Sequence, residues 1–307
     1  MKILLNSKNS KNYFVTIAIG KKYYNNWYKF AYPSWKDYCK KHDIGIICFD
    51  QHLLDKNHLK WKKPAWQKLL IGEKLKDKKK IKNVCYIDTD FLINPFAPNI
   101  FKSYNPNKIA VSSNISNLPY QLNFVKRKVV FFRRKFVNKK YPLDSVIFSK
   151  TSDMYKFSNL KVFKEDLCAG LFIFNVRKHY KTMSKWFFLY DRKTTSHTGG
   201  DQVHFSYHLL KYNKIQFLDY KFQAFWIYEM ALNYPFLYFI KNKKIIKNCI
   251  LSCLMNNYFV HFAGRWIEGE MWKIKILEKE DKRLFKNFFE YLKMKVYGKS
   301  KGYISYK

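Results

Sequence analysis

The run Val84-Cys85-Tyr86-Ile87-Asp88-Thr89-Asp90 sends four apolar or half-apolar residues into two carboxylates. A buried parallel strand that surfaces at its C-terminal end reads this way. In an open α/β sheet the ligand crevice lies outside the carboxyl ends of the strands, so Asp88 and Asp90 are placed to face it. Residues i and i+2 of a strand share a face, about 6.5 Å apart, so the two acids could serve one hard divalent cation. Asp-x-Asp alone is a weak signal, because such pairs also occur in surface loops. Two other stretches carry chemistry-bearing types. Gly199-Gly200-Asp201-Gln202 opens a helical pattern, either as a plain N-cap or as a ligand site for which the glycines leave room. Tyr258-Phe259-Val260-His261-Phe262-Ala263-Gly264-Arg265 is a strand-like run ending in a histidine and a glycine turn. A lone histidine there is more often a satisfied core residue than a ligand.

The elements that would position these residues alternate strand and helix. Tyr13 to Gly20 reads as a first buried strand, Tyr23 to His42 as a helix despite Pro33, and Ile44 to Phe49 as a second strand. Strand, helix, strand is the start of a doubly wound sheet. Pro64 to Leu75 reads as a helix with proline in its first turn, leading to the Val84 strand. Ile109 to Ser113 is a short strand. From Ile115 to Glu165 the apolar pattern is irregular: Lys126-Arg127-Lys128 and Arg133-Arg134-Lys135 alternate with Phe131, Phe132 and Phe136. Such a run is a solvated face over an apolar ridge or a surface for a polyanion. Regular pattern returns in Leu167 to Val176, a buried strand in which Gly170 allows close backbone approach. After Trp272 a basic tail places Leu284, Phe285, Phe288, Phe289 and Leu292 at helical spacing, as a docked or membrane-surface helix would.

At 307 residues the chain can bury a substantial core, as one large α/β domain or one with additions. No apolar run approaches the roughly 20 residues of a membrane span, and the N-terminus lacks the apolar length of a signal peptide, so a cytoplasmic protein is expected. The six cysteines agree with a reduced compartment. Cys249 and Cys253 could begin a metal site, but no second pair follows. The net charge of +37 draws the chain to polyanions: nucleic acid, an anionic membrane surface or an acidic glycan. Lys, Asn, Ile, Tyr and Phe also share A/T-rich codons, so composition supplies a second account of the lysine, though not of only 22 acids.

Several separated pieces together resemble the nucleotide-sugar glycosyltransferases of the GT-A fold. The retaining, metal-dependent families are nearest: glycogenin, the lipopolysaccharide α-galactosyltransferases, and the galactomannan and xyloglucan α-transferases. The pieces come in that family's order: Val15-Thr16-Ile17-Ala18, Trp35 to His42, Trp66-Gln67-Lys68, Tyr86-Ile87-Asp88-Thr89-Asp90, Ala169 to Asn175, Gly200-Asp201-Gln202 and His261-Phe262-Ala263-Gly264. The resemblance implies a Rossmann-like, mixed but mostly parallel sheet flanked by helices. It spans residues 1–272, with 115–165 a basic and aromatic insertion and 273–307 a basic amphipathic tail. It also implies that Asp90 and His261 bind a divalent metal and that Asp88 binds the metal or the ribose. Mn²⁺ is the ion implied, with Mg²⁺ as substitute, and a UDP-sugar is the donor. Ala18, Ile19 and Lys68 would line the nucleotide pocket. Asp201 would hydrogen-bond the transferred sugar, and Gln202 would lie near its anomeric carbon. Two departures stand out. Arg265-Trp266 replaces the Lys-Pro-Trp that follows the final histidine motif in glycogenin-like members, so Arg265 would take over a phosphate contact. Cys168 stands where an Asn usually precedes the Ala-Gly pair.

The expected function is sugar transfer from a nucleotide diphosphate to a glycan or lipid-linked acceptor, with retention. An inverting route would need a carboxylate base such as Glu268 or Glu270. Two alternatives stay open: a viral-type glycosyltransferase acting on nucleic acid, and a catalytically inactive module binding polyanions through Lys126 to Lys140.

Overall fold

A computed structural model describes residues 1–137, 148–194, 200–264 and 266–300, with side chains described through residue 290. Ten strands occur in these segments: β1 (Lys2–Leu5), β2 (Asn12–Ile17), β3 (Gly45–Phe49), β4 (Asn83–Ile87), β5 (Phe91–Ile93), β6 (Ile109–Ser113), β7 (Leu167–Asn175), β8 (Ile215–Phe217), β9 (Ala224–Phe225) and β10 (Phe259–His261). Seven form one sheet in the order β1-β3-β2-β4-β7-β6-β8, and β5-β10-β9 form a second. The large sheet is mixed. β2 runs parallel to β3 and β4, and β6 to β8, while β1–β3, β4–β7 and β6–β7 are antiparallel. The parallel share is therefore half of the pairings.

Helices cover both faces, which is why β3, β6 and β7 are apolar and buried along their whole length. On one face Trp27, Trp35 and Tyr38 are fully buried around Phe14. They come from one continuous rod, Lys21–Asn26, Trp27–Ala31 and Tyr32–Lys41, whose middle turn is a π-helix. Pro33 falls in the first turn of the last segment. It lacks an N–H, and the widened turn just before it is where the rod accommodates that loss. The other face buries Phe172, Phe174 and Phe205 among Leu69, Leu75 and Met183.

Residues 115–165 are more regular than their sequence pattern. Leu122–Phe136 and Thr151–Phe157 are helices. The first escapes a hydrophobic count because its buried positions are Val125, Val129 and Arg133, spaced i, i+4, i+8 with a cation in the third place. Arg133 is 2% exposed, and its Nε donates to Glu268 Oε1 at 2.7 Å and its Nη2 to Oε2 at 3.0 Å. The guanidinium also lies over the Trp266 ring, 5.4 Å from its centroid. One residue of the basic run is thus core, and Glu268 is committed to it. Glu270 pairs with Lys273. Of the two glutamates that an inverting route could draw on, Glu268 is buried in its ion pair with Arg133 and Glu270 stays exposed at the surface.

The helix Lys279–Ser300 docks on the body through the buried Phe285, through Phe289 stacked on Phe96 at 5.4 Å, and through Lys282 paired with Asp37 at 2.6 Å. All six cysteines are buried and unpaired, Cys249 and Cys253 inside the helix Lys243–Asn256. No helix among the described residues is long and apolar enough to cross a membrane.

Removing one member of a buried charge pair strands the other. Arg133→Ala is therefore expected to lower stability by about 3–5 kcal/mol in chemical denaturation, whereas the exposed neighbour Arg134→Ala should stay within about 0.5 kcal/mol. Equal small effects would show that the Arg133–Glu268 contact is not structural.

Candidate active site

β4 ends at Ile87, so Asp88, Thr89 and Asp90 form the turn between β4 and β5 rather than the end of one strand. That difference matters, because a turn folds the two carboxylates together more closely than strand spacing would. Antiparallel pairing of β5 with β10 sets Phe91 opposite His261, and the Phe262 N–H donates to the Asp90 carbonyl at 3.0 Å. A carboxylate oxygen of Asp88, one of Asp90 and a ring nitrogen of His261 consequently lie within 4.8 Å of one another.

His261 is 5% exposed and held by its neighbours. Its ring stacks on Phe91 with centroids 4.1 Å apart and lies 5.4 Å from Phe225. Its Nε2 is 3.4 Å from Asp90 Oδ1, an oxygen that is buried and accepts no hydrogen bond. Burial works against an imidazolium here, but the adjacent Asp90 carboxylate more than offsets it and raises the histidine to about 10. On the far side Gln223 Nε2 contacts Cys168 Sγ and approaches His261 Nδ1 at 3.5 Å.

Gly170 completes the floor. A Cβ there would stand 2.6 Å from His261 Cε1 and 3.2 Å from Asp88 Oδ2. The Gly170 carbonyl also accepts from the Asp88 N–H at 2.9 Å. The strand changes face at this point: Leu167 and Ala169 pack with Phe172 and Phe174, whereas Cys168 packs on the other side with Leu171 and Ile173. Such a bulge beside a ligand site re-aims the chain, and glycine tolerates it.

Lys68 enters from a 3₁₀ turn, Lys68–Leu70, inside the segment read as one helix. It is 3% exposed, and its ammonium donates to the Ala169 carbonyl at 2.8 Å and lies 3.2 Å from Asp201 Oδ2 and 3.9 Å from Asp88 Oδ1. Burial disfavours its charge, yet Asp201 and Asp88 together outweigh that and raise it. Burial pushes the Asp88 and Asp201 carboxyls up, against the pull of Lys68. The Tyr86 hydroxyl donates to Asp88.

Gln202 follows Asp201 at the helix start, and its amide is engaged with β7. Oε1 accepts from the Ala169 N–H at 3.0 Å, and Nε2 donates to the Leu167 carbonyl at 2.5 Å. Ala18 is buried in the core and its N–H donates to the Phe49 carbonyl at 2.8 Å. Neither Ala18 nor Ile19 lines the crevice. Arg265 lies outside the described residues.

The crevice, about 330 Å³, brings together Lys68, Asp88, Asp90, Asp201, Gln202 and His261. It also holds a carboxyl that the sequence reading passed over. Asp166 is 4% exposed, accepts from Asn114 Nδ2 at 2.5 Å, and has Gln202 Nε2 at 3.3 Å. Burial raises it to about 6, with those two amides pulling the other way. It reaches the crevice because β7 is antiparallel to β4, which puts the N-terminal end of β7 beside the C-terminal end of β4. An acid just before a long buried strand was the available signal, and it is legible only once the strand's direction is known.

No protein family and no curated protein matches this chain. Solved structures do. The chain is similar to the bifunctional glycosyltransferase WbbM in its apo structure, with a TM-score of 0.52 at 14% identity over 85% of this chain and 47% of that one. This chain thus spans about half the length of that protein. It also aligns with a glycosyltransferase involved in the glycosylation of the major capsid of PBCV-1, at a TM-score of 0.49 and 10% identity over 85% and 97% of the two chains. The galactosyltransferase LgtC in complex with donor and acceptor sugar analogs aligns at 0.43 and 12% identity over 87% and 98%. The fold is that of a GT-A-type glycosyltransferase, a mixed sheet flanked by helices.

Asp166 gives a pH prediction. A carboxyl raised from about 3.9 unfolded to about 6 folded adds stability below pH 4, and loses it as pH rises through 6. Relative to Asp166→Asn, wild type should lose on the order of 2–3 kcal/mol between pH 4 and 7 in urea unfolding. A pH-independent difference would mean that Asp166 titrates normally.

Proposed function

We propose that this protein is a metal-dependent glycosyltransferase that moves a sugar from a nucleotide diphosphate to a glycan or lipid-linked acceptor. The observation that carries the reading is the meeting of Asp88, Asp90 and His261 within 4.8 Å at the floor of a crevice. The donor set fits a divalent cation on two further counts. Asp90 Oδ1 is a buried carboxylate oxygen without a hydrogen bond, and the missing Cβ at Gly170 lets His261 and Asp88 close on the same stretch of backbone. Two carboxylates and an imidazole suit Mn²⁺, with Mg²⁺ as substitute.

Asp88, Asp90 and His261 would hold the ion. When bound, it supplies positive charge to the departing diphosphate of a UDP-sugar. Lys68 fixes Asp201 by their 3.2 Å contact, so that Asp201 can accept hydrogen bonds from sugar hydroxyls. Gln202 spends one oxygen lone pair on Ala169 and keeps a second for the anomeric centre. Retention is favoured because neither Glu268 nor Glu270 lines the crevice. If the product is inverted, Asp166 becomes the base, since a carboxyl near 6 lies in the useful range.

Calorimetric titration of Mn²⁺ and UDP tests the site. Wild type should bind them jointly, and Asp90→Asn and His261→Ala should each lose about 100-fold or more in metal-dependent donor hydrolysis. Gly170→Ala should fold but weaken Mn²⁺ binding about tenfold or more, because its new methyl displaces His261. Unchanged metal-dependent binding in these variants would place the site elsewhere. Proton NMR of the transferred sugar's anomeric centre checks stereochemistry: an α product from an α donor is expected, and a β product overturns retention.

A further inference from the structure

A second cavity, about 1390 Å³, opens from the side of the crevice and shares Ile115, Leu122, Lys126, Ser149 and Thr151 with it. Its volume exceeds the roughly 300–1,000 Å³ of a small-molecule pocket, so it suits an extended ligand. One wall is the helix Leu122–Phe136, which carries six basic residues and no acid. Val125, Val129 and Arg133 face the body, which turns Arg127, Val130, Phe131 and Arg134 to the groove. Among the described residues Arg127 and Arg134 have no ion pair, in contrast to Arg133. Phe131 is 56% exposed between them.

Resting on the transferase reading, we propose that this groove is the acceptor subsite, and that the acceptor is an oligosaccharide carrying phosphate or carboxylate groups. An acceptor hydroxyl must meet the donor sugar, so the acceptor lies in a space continuous with the donor crevice. Guanidinium groups pair with phosphate or carboxylate in a fork, and an exposed phenyl ring between them offers an apolar face to a sugar ring. Arg127 and Arg134 are separated by about 10 Å of helix, which spaces the anionic groups over more than one sugar. The charge reverses along the path. Asp88, Asp90, Asp166 and Asp201 line the crevice, and half-buried Lys126 stands at the junction, where burial lowers its pKa and the Asp166 carboxyl pulls part of the way back. The hydroxyl that reacts therefore sits on an uncharged sugar, with the anionic groups behind it along the helix. A single-stranded nucleic acid, which also spaces anionic groups along a chain, is the competing ligand.

The test uses fluorescence anisotropy with four labelled probes: oligogalacturonate for carboxylate, phosphorylated oligomannose for phosphate, maltohexaose as the neutral control, and oligothymidylate. No donor sugar is present, so the outcome does not depend on transferase activity. At least one anionic glycan should bind about tenfold or more tighter than maltohexaose. The pair Arg127→Glu and Arg134→Glu should remove that preference, by about tenfold or more. The pair Lys181→Glu and Lys185→Glu, an equal charge change on the exposed side of the helix Val176–Phe188, should change it by about twofold or less. Should the reversed pair lower the melting temperature, Arg127→Gln with Arg134→Gln should still weaken binding about threefold or more. Equal losses in the groove pair and the control pair would reduce the effect to net charge and overturn the proposal. So would the absence of any preference over maltohexaose, or tighter binding of oligothymidylate that the groove pair abolishes.

Discussion

The pairing of Phe91 with His261 is the constraint on which the site depends. It is one rung of a short antiparallel ladder between β5 and β10, yet it carries His261 across the fold to Asp90. A one-residue slip would turn the imidazole to the opposite face and leave Asp90 Oδ1 facing an apolar wall. The aromatic neighbours guard against that slip, since the ring is stacked on Phe91 and flanked by Phe225. The large sheet contributes the other half: β4 delivers the Asp88 turn, and β7 delivers Gly170 directly beneath it.

Around this floor the charge distribution opposes that of the whole molecule. The chain carries +37, but its crevice is lined by four aspartates against Lys68, His261 and the half-buried Lys126. Such an acidic hollow inside a basic exterior separates two tasks. The exterior field draws anionic molecules in from a distance, falling off over about 10 Å at ordinary salt. Inside the hollow the carboxylates oppose a second anion unless positive charge stands beside them.

Much of this was legible in the sequence. Asp88, Asp90, His261, Lys68 and Asp201 do meet, and Gly170 does permit a close approach. What the sequence hid has physical causes. Asp88 to Asp90 reads as a strand end because the apolar run Val84 to Ile87 leads into it, yet the acids form a turn into β5, which belongs to another sheet. The helix Leu122–Phe136 is disguised by a buried arginine whose partner lies far along the chain. Asp166 is invisible until β7 is known to run antiparallel. Ala18 and Ile19 follow the end of β2, Ala18 buried and Ile19 half-buried, and neither is among the residues lining the crevice.

The bare backbone at Gly170 also bears on how such a site can diverge. Where the floor is a glycine whose missing methyl is the room that the His261 ring and the Asp88 carboxylate take up, any larger side chain would push them apart. Diversification has to pass through the positions on either side. Cys168 and Asp166 both line the crevice, one a buried thiol, the other a carboxyl held between two amides. A chain carrying this floor would hold Asp88 and His261 in place while the walls around them changed, so likeness in the floor would be a poor guide to what each crevice holds.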